Sequence, residues 1–273
     1  MKPREVFEDT FRIAELLIQL YRLLENDHLE TEGERVEAIR RLLRCSPDER
    51  IQVLANEVFL GCIREHADIA PGRLRRQSLE HLLRQAVVSA CTAYETYLST
   101  LLKQHLLTAM KVRQSECFPT DSDVVKYFKD VTLEMHEAFR LLSREDAILF
   151  LRNKILTHVQ KKNLGSVAGL KTVGLLLGIP DPWNTLAGHL KRERKDLTST
   201  IAGAIDRRNA IVHKADRDFE AEDLDRESIS YSWAKQAVST IELVCLGFDE
   251  LIEKKIREYK EELAARGETA GHA

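Results

Sequence analysis

Apolar side chains recur at intervals of three and four residues along most of the chain, which is the spacing that places them on one face of an α-helix. The first such stretch covers residues 5–26, and two further stretches, 32–43 and 46–67, precede Ala70-Pro71-Gly72. Adjacent proline and glycine residues break a helical pattern. We therefore predict an N-terminal helical extension over residues 1–70.

The remaining apolar pattern predicts a helical bundle. One very long helix is expected over residues 75–111, because its centre is apolar on most sides, as in the buried helix of a bundle. A second long helix, over 227–264, has its apolar residues on one side. Shorter helical patterns lie between the two, over 122–139, 143–160, 184–197 and 199–214, with a short helix or loop over 166–178. We predict an all-α fold, an antiparallel bundle of four to five core helices over 73–264, followed by a disordered tail over 265–273.

Charge is distributed unevenly along the chain. The net charge of −3 gives no overall indication of nucleic-acid binding. Residues 152–217, however, contain 13 Lys and Arg against 5 Asp and Glu, an excess of 8 positive charges, whereas residues 218–273 contain 7 against 14. A local basic segment is what a phosphate-binding surface requires, although solvated helix faces would give the same count.

A small group of polar residues stands at the end of this basic segment. Arg208-Asn209 is followed by three aliphatic residues and then by His213. On a helix Asn209 and His213 share a face, and Arg208 lies roughly 140° from His213, within reach of its long side chain. A permanent cation beside a group that titrates near neutrality suits phosphodiester chemistry, because the Arg neutralises the phosphate and the His moves a proton. The alternative is a helix surface with an ion pair to Asp206 or Asp216.

This arrangement resembles the motif of the HEPN superfamily (higher eukaryotes and prokaryotes nucleotide-binding domains), in which an Arg, usually followed by a polar residue, precedes a His by four to six residues. The chain is most similar to the RiboL-PSP and related prokaryotic branches, over residues 73–262. The resemblance implies an endoribonuclease that needs no metal or other cofactor and acts as a toxin or as an antiphage, abortive-infection effector. The catalytic residues would be Arg208, Asn209 and His213.

The resemblance also implies partners and further site residues. RNA is the expected substrate, and a homodimer would combine the motif helices of two protomers into one composite site. An antitoxin or sensor protein would restrain the activity. Glu95, on the first bundle helix, and Asp206 are candidate orienting groups. The candidate RNA-binding residues are the cations around the motif, Arg207, Lys191, Arg192, Arg194, Lys195 and Lys214.

A second, lower-ranked candidate site lies at Arg152-Asn153 and His158. Five residues separate this Arg from the His, which places the two about 120° apart on a helix, and Asn153 is not four residues before the His. The segment also lies before the middle of the basic region, whereas the family motif usually precedes the last long helix.

Other chemistries find little support. The five cysteines form no Cys-x-x-Cys pair, the histidines form no His-Glu-x-x-His pattern, and the glycines lack a phosphate-loop spacing, so we expect no metal and no cofactor. Charges interrupt the first apolar run and no uncharged run is long enough to span a membrane, so we expect a soluble, cytoplasmic protein. The alternative function is a non-catalytic helical module that binds RNA, a nucleotide or a protein.

Overall fold

The computed structural model describes residues 2–25, 76–114, 132, 134–142, 147–161, 164–216 and 227–267. In these segments all regular secondary structure is helical, which confirms the predicted all-α class. The eight α-helices of this part of the chain are α1 (Pro3–Glu25), α2 (Arg76–Arg113), α3 (Met135–Leu142), α4 (Ala147–Lys161), α5 (Val167–Leu176), α6 (Pro182–Leu190), α7 (Arg194–Lys214) and α8 (Tyr231–Ala265).

The chain divides into two compact units that are each assembled from separate stretches of sequence. The first unit comprises Met1–Asp9, Cys91–Ile205 and Thr240–Ala273, and the second comprises Thr10–Ala90 and Asp206–Ser239. The helices α1, α2, α7 and α8 therefore each contribute residues to both units. All residues from Asp206 to His213 belong to the second unit.

In the first unit, three large side chains reach backbone carbonyls at the ends of α5 with their polar groups. Tyr94, on α2, is 1% exposed and its hydroxyl donates to the carbonyl oxygen of Ser166 at 3.1 Å. Trp183, on α6, is 2% exposed and its indole N–H donates to the carbonyl oxygen of Val167 at 2.9 Å. Arg113 donates to the carbonyl oxygen of Leu175 at 2.8 Å. Each large side chain thus buries apolar surface and satisfies a polar group at an end of α5.

The second unit buries one stripe of α1 and the first half of α2. The buried residues of α1 in this unit are three or four positions apart, as the amphipathic pattern predicts: Phe11, Ala14, Ile18 and Tyr21. The Tyr21 ring stacks on the ring of Tyr231, at the start of α8, with 6.0 Å between centroids and 11° between planes. On α2 the buried apolar residues of this unit are Leu79, Leu83, Ala86, Val87 and Ala90.

The predicted boundary between the two helices before residue 214 is wrong. The sequence pattern placed the break near residue 198, whereas α6 ends at Leu190 and α7 begins at Arg194. Lys191 adopts a left-handed conformation with φ of 53° and ends α6, although no glycine or proline marks this position. The reason is packing, because Leu197, Ile201 and Ala204 form one continuous buried stripe of α7.

Other predicted elements are found close to their expected positions. The stretch 166–178 contains the short helix α5, with Ser166 as N-cap accepting a hydrogen bond from the backbone N–H of Gly169. The predicted helices over 32–43 and 46–67, most of the one over 122–139, the division near residue 70 and most of the C-terminal tail lie outside the described residues. None of the described helices is both long enough and apolar enough to cross a membrane.

Candidate functional site

The predicted catalytic residues lie in the last two turns of α7. Arg208 and Asn209 are half-buried, and His213 is exposed in the final turn. The Arg208 Nη1 donates to Asn209 Oδ1 at 3.0 Å, so the amide oxygen is turned toward the guanidinium. This contact leaves the other guanidinium N–H groups of Arg208 to other acceptors. The described structure thus places a guanidinium, a carboxamide and an imidazole along one short helical segment.

Arg207, predicted as an RNA-binding cation, has a different environment. Its side chain is 10% exposed and its Nη2 contacts Asp216 Oδ2 at 2.8 Å. The same nitrogen donates to the carbonyl oxygens of Glu227 at 2.7 Å and Ser228 at 3.1 Å, and Nη1 pairs with the Glu227 carboxylate at 2.6 Å. Both Nη atoms of its guanidinium are therefore occupied by protein oxygens and its Nε is buried, which favours a structural role over phosphate binding.

The carboxylate of Asp216 is the centre of this buried group. It is 2% exposed, and its Oδ2 also accepts a hydrogen bond from Arg84 Nε at 2.5 Å. Arg84, on α2, is 3% exposed, donates from Nη2 to the carbonyl oxygen of Glu227 at 2.8 Å and lies 3.2 Å from Glu80. We call Arg84, Arg207 and Asp216 the buried Arg–Asp cluster. The ion pair to Asp216, which the sequence offered as an alternative for the motif, is thus made by Arg207.

Sequence reasoning did not single out Arg84. The signal that would have found it is its position, because Leu83, Ala86 and Val87 beside it are all buried. A charged residue on the buried stripe of a long helix needs a partner of opposite charge. The sequence could not say which of 44 acidic residues that partner is.

The other candidate RNA-binding residues are exposed. Lys191, Arg192, Arg194 and Lys195 occupy the turn between α6 and α7 and the first turn of α7, within the first unit. Arg194 lies 3.5 Å from Asn184 Oδ1. Lys214 is exposed at the end of α7, in the second unit. Four neighbouring exposed cations form a basic turn, which we call the α6–α7 basic turn.

The two candidate orienting groups differ in position. Glu95 is half-buried on α2 and belongs to the first unit, whereas Asp206 is exposed on α7 and belongs to the second unit. Their orienting roles stay predictions.

The second-choice site has a buried guanidinium. Arg152, on α4, is 8% exposed, and its Nη2 donates to the carbonyl oxygen of Lys103 at 2.7 Å. Its Nη1 contacts Asn153 Oδ1 at 3.1 Å, the same local contact that Arg208 makes with Asn209. His158 is half-buried. Arg152 is therefore less accessible to a phosphate than Arg208, although both Arg-Asn pairs share one local geometry.

A cavity of about 300 Å³ lies elsewhere, in the first unit, and contains none of the predicted catalytic residues. Among its lining residues, Asp249 and His105 have strongly displaced pKa values. Burial, together with Glu253, raises the pKa of Asp249 to about 6, and burial, together with Lys260, lowers the pKa of His105 to about 4. The remaining lining residues are Lys2, Pro3, Arg4, Gln104, Glu253, Ile256, Arg257 and Lys260.

Across the part of the chain that the structure describes, no group of three or more His, Cys, Asp or Glu side chains is arranged to hold a metal ion.

Comparison with known proteins gives one family match. The family model described as RiboL-PSP-HEPN matches residues 62–254, which include α2, α7 and the first part of α8. No curated protein and no solved structure matches the chain.

Proposed function

Since the chain belongs to the RiboL-PSP-HEPN family, we propose that it is an endoribonuclease that cleaves RNA without a metal ion, with Arg208, Asn209 and His213 as its active site. The observation that carries this proposal is the grouping of the three side chains on the last two turns of α7, with the Arg208 guanidinium held by Asn209 at 3.0 Å and His213 exposed. These residues lie within the part of the chain that matches the family.

The proposed reaction is an internal transfer at phosphorus. His213, as general base, takes the proton of an RNA 2′-hydroxyl, and the 2′-oxygen forms a bond to the adjacent phosphorus. Arg208 stabilises the negative charge that develops on the non-bridging phosphoryl oxygens. The bond from phosphorus to the 5′-oxygen then breaks, and that oxygen takes a proton from a second imidazole. The products are a 2′,3′-cyclic phosphate and a 5′-hydroxyl, and DNA is inert because it lacks the 2′-hydroxyl.

The second imidazole is the reason for proposing a homodimer. A single chain brings one motif His to the site, whereas a second copy of α7 would supply the general acid and a second Arg. Val212, the residue before His213, supports this arrangement, because it is apolar and 50% exposed on the motif helix. An exposed aliphatic residue beside the catalytic groups is suited to contact a second protomer.

The decisive experiment is cleavage of total RNA and transfer RNA by purified protein in EDTA. Wild type is compared with Arg208→Ala and His213→Ala. We expect cleavage with cyclic-phosphate ends by wild type only, a loss of at least 100-fold in both variants, and RNA affinity within threefold of wild type for His213→Ala. Cleavage that survives both substitutions would reject this site and direct attention to Arg152 and His158.

A non-catalytic RNA-binding module is the second candidate function, and the α6–α7 basic turn favours it. Exposed Lys and Arg side chains bind the phosphate backbone without performing chemistry on it. In this case no RNA is cut, and changing Lys191, Arg192, Arg194 and Lys195 to Ala reduces RNA affinity and its dependence on salt. Unchanged affinity in that variant would reject the module as an RNA binder.

The biological setting belongs to the proposal as well. The family resemblance suggests a toxin or an antiphage effector, and an antitoxin or sensor protein that holds the ribonuclease inactive. Expression of wild type would then arrest growth of a bacterial host, and expression of His213→Ala would not. Equal growth of the two strains, with equal protein levels and no restraining partner present, would contradict the toxin role.

A further inference from the structure

The buried Arg–Asp cluster lies on both sides of the proposed active site. Arg207 immediately precedes Arg208, and Asp216 follows His213 by three residues. One oxygen of Asp216, Oδ2, contacts Arg84 Nε at 2.5 Å and Arg207 Nη2 at 2.8 Å. The Asp216 carboxylate therefore links the residues just after α7 back to α7 across the motif and, through Arg84, links them to α2.

The backbone of Ala215 and Asp216, just after α7, is also constrained. Ala215 and Asp216 both have left-handed conformations, with φ of 52° and 60°. The backbone N–H of Asp216 donates to the carbonyl oxygen of Ala210 at 3.0 Å, and its carbonyl accepts from the N–H of Glu227 at 3.0 Å. Such consecutive left-handed residues without glycine cost free energy and persist only where surrounding contacts impose them. Here these backbone hydrogen bonds and the buried carboxylate of Asp216 supply those contacts.

We infer that Asp216 is a positioning residue, which acts through Arg84 and Arg207 to fix the last two turns of α7 and thereby the orientation of Arg208 and His213. The inference rests on the proposed function. Its physical basis is that a buried, charged group has few alternative arrangements, because any movement leaves an unpaired charge out of water. An apolar cluster of equal volume would hold the same helix with less directional control.

A purely stabilising role makes a different prediction from a positioning role. Loss of stability alone lowers the fraction of folded enzyme and leaves the turnover of folded molecules unchanged. Loss of positioning lowers kcat in molecules that remain folded, because a displacement of about 1 Å at a reacting group costs on the order of 100-fold in rate. RNA affinity, which depends on exposed cations, is not affected by positioning of the imidazole.

The test uses the full-length chain with Asp216→Asn, which keeps the size of the side chain and removes its charge. Arg207→Gln is made beside it, since this residue lies at the edge of the cluster with 10% exposure and its loss is tolerated more easily. The matched control is Arg113→Lys. Like Arg84, Arg113 is an arginine of α2 whose side chain donates to backbone carbonyls, here those of Leu175 and Leu176. It belongs to the first unit, whereas the cluster belongs to the second.

Three quantities are measured below the Tm of every variant: kcat and KM for RNA cleavage, the 15N and 1H resonances of the His213 ring, and hydrogen exchange of residues 210–216. In Asp216→Asn and Arg207→Gln we expect kcat to fall at least tenfold with KM within twofold. The His213 resonances should shift or broaden, and exchange of the last turn of α7 should become at least tenfold faster. In Arg113→Lys we expect kcat, KM and the exchange rates to stay within twofold of wild type and the His213 resonances to be unshifted.

Two results would overturn the inference. One is a kcat within twofold of wild type in the folded fraction of either cluster variant; the other is an unchanged His213 resonance in both. If wild type itself cuts no RNA, the proposed function fails, and the resonance and exchange measurements still decide whether Asp216 positions His213. If Asp216→Asn does not fold, Arg207→Gln alone decides.

Discussion

The accessibility of an arginine side chain in this chain cannot be inferred from the residue next to it in sequence. Arg152-Asn153 and Arg208-Asn209 make the same contact between guanidinium and amide oxygen, at 3.1 and 3.0 Å. Arg152 is nevertheless 8% exposed and is directed to a backbone carbonyl, whereas Arg208 is half-buried. Access to a phosphate differs between two sites that are nearly identical over two residues.

Asp249 and His105 show a second effect of burial, on titration. The folded state favours the protonated form of Asp249, whose pKa rises from 3.8 to about 6, mainly through burial and then through Glu253. It favours the neutral form of His105, whose pKa falls from 6.5 to about 4, mainly through burial and then through Lys260. Ionisation of Asp249 therefore lowers the free energy of unfolding as pH rises from about 4 to 6. Protonation of His105 lowers it as pH falls from about 6.5 to 4.

Because Asp249 lowers stability at high pH and His105 lowers it at low pH, variants of the two residues serve as controls for each other. Asp249→Asn keeps an oxygen that accepts from the Tyr97 hydroxyl, which lies 3.3 Å from the carboxylate. We expect Asp249→Asn to raise Tm relative to wild type at pH 7, by about 2–4 °C for about 1 kcal/mol, and to show little gain at pH 4. His105→Gln should gain stability relative to wild type at pH 4 and little at pH 7. Thermal unfolding between pH 4 and 7 measures both differences, and parallel curves for the three proteins would refute the prediction.

Within single helices, the space around a glycine depends on packing that the local sequence does not indicate. α5 packs so closely on the segment before it that a Cβ on Gly169 would collide with the carbonyl oxygen of Leu164. By contrast, a Cβ on Gly203, in the middle of α7, would meet no atom within 4 Å. The two helical glycines look equivalent in sequence and have opposite requirements.

Substitution by alanine separates these two glycines. Gly169→Ala should destabilise the fold by about 1–3 kcal/mol, because backbone atoms must move to admit the methyl group. Gly203→Ala should stabilise it by about 0.5–1 kcal/mol, since alanine loses less backbone entropy in a helix. Chemical denaturation with circular dichroism measures both changes. A stabilised Gly169→Ala would show that α5 does not pack as closely as described.

At the scale of the whole molecule, each compact unit combines stretches that are distant in sequence, and long helices supply residues to both. The proposed active site lies in the second unit, on the final turns of α7, and the exposed Val212 lies within it. The proposed reaction calls for a second imidazole, and the catalytic assembly that we propose is therefore a homodimer.

A homodimer with a composite site predicts that ribonuclease activity depends on protein concentration. On dilution, the cleavage rate per protomer should fall in parallel with dissociation of the dimer, as measured by analytical ultracentrifugation. Val212→Asp should weaken the dimer and lower the rate at a given concentration, whereas Leu243→Asp, at an exposed aliphatic residue of the first unit, provides a comparison. A monomer that cleaves RNA at full rate would contradict the composite site.

The helical class and the extents of α1, α2 and α8, to within a few residues, could be predicted from the sequence alone, whereas the assignment of Arg208 and His213 to an active site stays a prediction. These features are local, because a helix and its buried face follow from spacings of three and four residues. The family match over residues 62–254 agrees with the family that the motif indicated.

Which charged groups are buried and which partners they have depends on tertiary contacts between distant parts of the chain. Arg84 and Asp216 are 132 residues apart, and no local pattern joins them. The same holds for the interruption at residues 191–193. No glycine marks this break in the sequence, and it accompanies the packing of the buried stripe of α7. The free energy of a buried charge depends on what the folded chain brings within about 3 Å of it, and sequence spacing carries no information about that distance.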